Sequence, residues 1–242
     1  MIISAIKIIF LLGFLILIHE GGHCIVAKLC NVKVNQFALG FGPKIFAIQG
    51  KETLYALRLI PLGGFVSMEG ENGKSTDERA FNNATIPKRI AIVVAGALVN
   101  IVFGLLIYFI LASIVLGDIS SGIKALGNYT VALIESLKML FTGNVGINDL
   151  AGPVGISGVI SQTSNVKEYI YMMSIISISL GITNLLPVPA LDGGKIVLLL
   201  IEAIRKKPLK QETEIQIQLL GFSLLIVLAV VVTYNDVLRI IK

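Results

Sequence analysis

The sequence predicts an α-helical integral membrane protein, four transmembrane helices with a small cytoplasmic, membrane-associated β element, and three observations predict it. The chain is 55% hydrophobic and 14% charged, with a mean hydropathy of +0.87, too apolar for one soluble domain of 242 residues. Its apolar residues gather in four stretches, about 2–23, 90–116, 169–186 and 217–232, whose lengths approach the ~30 Å of a bilayer core at ~1.5 Å per helical residue. The net charge of +5 comes from basic residues set between those stretches, not along one exposed patch, so they read as topology signals and nucleic acid is not expected as a partner. The whole chain, 1–242, is read as a single domain embedded in the lipid bilayer.

The first stretch lacks a basic start and the small residues of a cleavage site, so it is expected to stay as a span and not leave as a signal peptide. Nine Lys or Arg follow it, Lys28, Lys33, Lys44, Lys51, Arg58, Lys74, Arg79, Lys88 and Arg89, and place the loop 24–89 in the cytoplasm. Within that loop 53–59 alternates strand formers and runs into Ile60-Pro61-Leu62-Gly63-Gly64-Phe65-Val66-Ser67-Met68, a small sheet or hairpin. Residues 69–85 are polar, with Gly, Asn and Ser, and are expected to form a mobile loop. The second span carries Asn100 at mid-depth, where a hydrogen bond between helices and a role at a site both remain open. Residues 117–128 read as a short polar linker, and 129–162 as an amphipathic helix and loop at the outer surface. The third span stops at Pro187 and Pro189, an apolar helix resumes over 195–204, and Arg205-Lys206-Lys207 with Lys210 makes a second basic loop before the last span. Both basic loops fall on one side, which leaves both termini outside.

The chemistry is concentrated at the end of the first span, in His19-Glu20-Gly21-Gly22-His23. Two imidazoles at i and i+4 lie one turn apart on one helix face, the spacing that lets both bind one metal. Glu20 sits beside that face and can take a proton from water activated there without being a ligand. Such a pattern also arises by chance on ordinary helices, but both histidines of the chain fall within it, beside a membrane where an idle charged cluster is costly. Two glycines in mid-helix each cost about 1 kcal/mol relative to alanine, so close helix packing or substrate access must require them. Cys24 and Cys30 make neither a disulfide framework nor a zinc quartet, and Cys24 lies about 100° round the helix from His23.

Catalytic zinc usually takes three protein ligands and keeps one position open. With no third histidine the third ligand must be Asp, Glu or Cys. Spans one and three run in the same direction, His19 lies about 26 Å along the first, and the prolines end the third after a similar rise, which places Asp192 at a compatible depth. The alternatives are an aspartate exposed to cytoplasmic water, or one paired with Lys195. The extended metzincin motif would need Gly and His where Val26 and Leu29 stand, and Glu52 and Glu69 fall in strand-like or loop sequence, not on the helix that a glutamate ligand requires.

Taken with Phe41-Gly42-Pro43, Ile60 to Val66, the stretch from Gly96 to Asn100, Gly152-Pro153 and the run from Asn184 through Pro187, Pro189 and Asp192 to Gly194, the motif resembles the site-2 protease family. These are intramembrane zinc metalloproteases that cut transmembrane segments. The resemblance implies one zinc per chain held by His19, His23 and Asp192, with Glu20 as general base and Asn184 as a contact to substrate backbone. It implies that Gly63, Gly64, Phe65 and Val66 form a membrane-associated β element that pairs with unwound substrate, and that Asn100 is the family's second-span asparagine. Two departures stand out: Ala97 occupies a place where the family often has proline, and 117–128 is too short for the PDZ domains that many bacterial relatives carry between spans two and three.

The expected function is zinc-dependent intramembrane endopeptidase, acting on single-span membrane proteins from a bacterial cell membrane, with the site near the cytoplasmic face. The competing class is a non-catalytic membrane protein that binds metal or scaffolds single-span partners. A metal carrier would need ionisable residues at several depths, which the spans lack, and an inactive scaffold would have no use for Glu20.

Overall fold

The computed structural model describes residues 2–71, 73, 75–143 and 152–241. In chain order it has helix α1 (Ile2–Leu29), strands β1 (Val34–Gln49) and β2 (Leu54–Met68), a single 3-10 turn (Phe81–Asn83), and helices α2 (Ile86–Leu116), α3 (Ile119–Phe141), α4 (Pro153–Gln162), α5 (Val166–Leu185), α6 (Asp192–Arg205) and α7 (Gln211–Ile241). Three helices, α1, α2 and α7, are long and apolar enough to cross a membrane. They leave many large apolar side chains exposed, such as Phe10, Val102, Leu220 and Val230, which is how a lipid-facing helix differs from a soluble one. Helix α5 has the length for a span, 20 residues, but is not among those three. It carries Ser174 and Ser177, both fully buried, and so is the polar, inward-packed helix of the set.

The residues fall into two compact units. The first comprises Met1–Ile8, Phe103–Ile176 and Ser223–Lys242. Here Lys7 donates to the Thr163 carbonyl at 2.8 Å, and Asp236, almost fully buried on α7, accepts the Gly155 N–H at 2.8 Å at the start of α4. A Cβ on Gly152 would stand 2.7 Å from Asp236 Oδ2, so the glycine before Pro153 is the space that lets the carboxylate reach the helix N-terminus. Where the sequence suggests a linker over 117–128, α3 begins at Ile119, where Asp118 accepts the Ser121 N–H at 2.8 Å as a local N-terminal cap and Ile123 to Leu126 continue the helix between Gly122 and Gly127. The amphipathic 129–162 segment is α3 and α4 in its described parts; residues 144–151 lie outside them.

The second unit, Ile9–Val102 with Ser177–Phe222, holds the β element and the core built from Cys24, Ala27, Val32, Val34, Met68, Phe81, Ile92, Val93 and Leu199. The two strands are longer than the sequence pattern suggests and bent, so that antiparallel pairing occurs in more than one register. The stretch 36–39 pairs with 64–67 on one side and with 54–57 on the other, while 44–49 pairs with 54–58. Residues 64–67 are therefore paired on one side only among the described residues. The far part of the sheet exposes Phe41, Ile45, Phe46, Leu57, Leu59 and Ile60.

The described residues of the 69–85 segment, where the composition suggests a mobile loop, make contacts far along the chain. Phe81 is 1% exposed, Lys33 pairs with Asp77 at 3.0 Å, and Glu69 accepts from Asn35 and Ser75. Those two hydrogen bonds also hold the Glu69 carboxyl below its usual range. Polar composition marks exposure to water but says nothing of long-range partners, and here the partners fix the loop. Helix α1 runs on to Leu29, six residues past the expected end of the first span, and α2 continues unbroken through Ala97.

Candidate metal centre

His19 and His23 stand one turn apart on α1, both under a tenth exposed. Their surroundings explain the second glycine of the motif and another on α2. A Cβ on Gly22 would meet the Ala95 carbonyl oxygen at 2.7 Å, and a Cβ on Gly96 would stand 2.3 Å from His23 Nε2. Helix α2 thus packs against α1 backbone to backbone and leaves a slot that the His23 ring fills. His23 Nδ1 lies 2.8 Å from the Ile92 carbonyl oxygen; a carbonyl only accepts, so Nδ1 carries the proton and Nε2 offers a lone pair. Gly21 meets nothing within 4 Å and faces open space.

The third group arrives from α6. Helix α5 ends at Leu185, Pro187 and Pro189 forbid its continuation, and Ala190 in a left-handed conformation (φ 73°) turns the chain so that Asp192 opens the next helix. Asp192 Oδ2 then lies 3.2 Å from His19 Nε2 and 3.4 Å from His23 Nε2, and the two Nε2 atoms are 3.2 Å apart. A tetrahedral ion with N and O ligands at about 2.0–2.1 Å sets neighbouring ligand atoms about 3.3 Å apart. The three atoms are spaced as such an ion would space them. Asp192 Oδ2 is also buried without a hydrogen-bond donor, which suits an oxygen turned toward a cation. Among the described residues this is the only group of three His, Cys, Asp or Glu side chains so convergent.

Of the two alternatives for Asp192, the pairing with Lys195 is not adopted. The Asp192 side chain is 20% exposed, and Lys195 pairs not with it but with Glu71, at 2.5 Å. Glu20 is half-buried beside the histidines and within electrostatic reach of His19, His23 and Asp192. Gly64 brings the singly paired strand edge to it: a Cβ there would stand 3.1 Å from Glu20 Cγ. Gly63, with φ 96°, precedes Gly64, and Phe65 and Val66 continue the same edge, paired with Ala38 and Phe37. Asn184 ends α5, half-buried, and donates to the Leu180 carbonyl at 3.0 Å. Asn100 is elsewhere in character: it is 0% exposed, its backbone carbonyl accepts from Ser177, and neither side-chain polar atom has a hydrogen-bond partner. Its side chain lies inside the helix packing and has no open face.

Two features escape sequence reasoning. Glu71 reaches α6 across 124 residues, and nothing local in a polar loop marks that contact. A cavity of about 470 Å³ opens beside Asp192, lined by polar side chains such as Glu71, Lys195 and Gln211 and by apolar ones such as Ile215, Leu219 and Phe222.

Comparison with known proteins agrees with this geometry. Residues 7–228 match the model described as Peptidase family M50. Curated relatives named as zinc metalloproteases include one from Clostridium acetobutylicum, 32% identical over 320 residues covering 93% of this chain and 94% of the relative. Another, from Clostridium perfringens, is 31% identical over 319 residues, covering 93% and 95%. The zinc metalloprotease RasP of Geobacillus kaustophilus is 24% identical over 410 residues, covering 97% of each.

Proposed function

The chain belongs to peptidase family M50, the site-2 proteases, and on that premise we propose that it is an intramembrane endopeptidase that cuts single-span membrane proteins within their transmembrane segments. Zinc is its metal, in keeping with its relatives. One observation carries the residue assignment: the near-equilateral triangle of His19 Nε2, His23 Nε2 and Asp192 Oδ2, buried and spaced for one tetrahedral ion. These three residues would hold one zinc per chain. When bound there, zinc polarises the scissile carbonyl and makes water a nucleophile at neutral pH. Glu20 takes the proton of the attacking water and passes it to the leaving amine. Purified Asp192→Ala is expected to lose its zinc; full retention at wild-type affinity would remove Asp192 from the ligand set.

A scissile bond inside a helix is shielded by its own turn, so the substrate must unwind, and each N–H and C=O freed near lipid then needs a partner. The one-sided edge at Gly64, Phe65 and Val66 supplies backbone partners beside Glu20, and Asn184 supplies a donor and an acceptor. Successive N–H groups of a strand point to opposite sides, so one of Phe65→Pro and Val66→Pro removes an outward donor. That variant and Asn184→Leu should each cut about tenfold more slowly with normal zinc content, from the loss of a hydrogen bond. Wild-type rates in all three would end the pairing account. Asn100, closed inside the packing, is left out of the substrate contacts.

The fourth span is α5, whose buried serines face protein and not lipid. With four spans and the basic loops inside, both termini lie outside, and the exposed apolar far part of the sheet rests against the cytoplasmic leaflet of the bacterial cell membrane. Single cysteines at Glu78 and Asn128, in a background without Cys24 and Cys30, test this with an impermeant thiol reagent on intact cells. Labelling is expected at position 128 and not at 78, and the reverse pattern would invert the topology.

A further inference from the structure

Lys195 lies three residues after Asp192 in α6, so the two side chains are neighbours on one helix face, and both line the same cavity. An ammonium in that place is the natural competitor of a metal ion for a lone carboxylate. Yet Lys195 is turned to Glu71, and both partners are largely buried, at 19% and 15% side-chain exposure, where water and salt screen little. Glu71 is itself clamped: Oε1 takes Lys195, and Oε2 accepts the N–H of Met68, the buried last residue of β2, at 3.3 Å. The ring of Phe81 lies 4.8 Å below the Lys195 ammonium and also carries Arg89 at 5.1 Å, and Arg89 in turn is paired with Glu202 at 2.7 Å. Carboxylate and aromatic ring together fix the ammonium away from Asp192.

We propose that Glu71 is a positioning residue of the metal centre, which by holding Lys195 keeps that ammonium off Asp192 and leaves the Asp192 carboxylate to the metal. The proposal rests on the reading of Asp192 as a ligand. It gives the 69–85 segment a function, since Glu71, braced by Met68, and Phe81 together hold one lysine. It also links the end of β2 to the first turn of α6 through two hydrogen bonds.

The test is a double-mutant cycle read as zinc affinity of the purified full chain, by competition with a chelator. Glu71→Gln releases Lys195 and should weaken zinc binding about 10- to 100-fold, the usual size of effect for residues that support a ligand. Lys195→Gln alone should bind zinc within about threefold of wild type, and the pair Glu71→Gln with Lys195→Gln should return to that level, because the competitor is gone. A merely structural ion pair gives another pattern: Lys195→Gln would be as harmful as Glu71→Gln, and the double variant no better than either. That pattern, or a Glu71→Gln affinity equal to wild type, overturns the proposal. Asp192→Ala in the same assay separates the two readings. If it loses zinc while Glu71→Gln does not, only the role of Glu71 falls, whereas if it keeps zinc the ligand assignment falls and the role of Glu71 with it.

Discussion

Glu20→Gln is expected to keep the fold and the zinc and to lose at least ~10²-fold in cleavage, the range in which a general base contributes. The substitution is nearly isosteric, and Glu20 is not among the three atoms that converge on one point, so nothing in the ligand triangle needs to move. What changes is the capacity to accept a proton: an amide oxygen is a far weaker base than a carboxylate. The Glu20 position beside the histidines and under the Gly64 edge puts that capacity where an unwound substrate would lie. Co-expression of wild type and Glu20→Gln with candidate single-span substrates gives the readout, with zinc content measured on the same preparations. Equal cleavage by a metal-loaded Glu20→Gln would sink the base assignment, and with it the strongest distinction between a protease and an inactive metal-binding scaffold.

Much of this site was legible in the chain because its signals are local or are tied to the membrane. His19 and His23 share a face by helix geometry alone, and the rise per residue with the direction of each span is enough to set Asp192 at a depth compatible with theirs. The geometry brings these three together. What the sequence conceals is set by partners far along the chain. The polar composition of 69–85 suggested mobility, yet Glu71 and Phe81 bind residues of α2 and α6. Asn100 looked available in a one-dimensional reading, since a polar residue in mid-span invites a use, but the packing of α2 buries it completely. The strands outran their pattern because β1 contains Gly40, Gly42 and Pro43, turn signals that here bend a continuous strand. Helix α5 shows the converse limit: it has the length of a span but carries Lys167, Glu168 and Asn184 toward its ends and is not among the three helices apolar enough to cross a membrane.

Gly96→Ala should abolish tight zinc binding although it adds only one methyl group. The new Cβ would stand 2.3 Å from His23 Nε2 and 2.7 Å from Cε1, well inside contact distance for atoms that cannot interpenetrate. Either the ring turns out of its slot, which breaks the 2.8 Å contact between Nδ1 and the Ile92 carbonyl, or α1 and α2 move apart by roughly 1 Å, which spoils the spacing of the three ligand atoms. Disturbing what supports a ligand costs about 10- to 100-fold in metal affinity, and here the ligand itself is displaced. Gly22→Ala meets the Ala95 backbone instead and should separate the same two helices. Gly21→Ala is the control: its Cβ enters open space, the helix gains up to about 1 kcal/mol in propensity, and zinc should be retained. Zinc affinity across the three variants thus reads the helix packing directly. If Gly96→Ala binds zinc as wild type does, the slot around His23 is not what fixes the ligand, and the close approach of α1 and α2 has some other purpose.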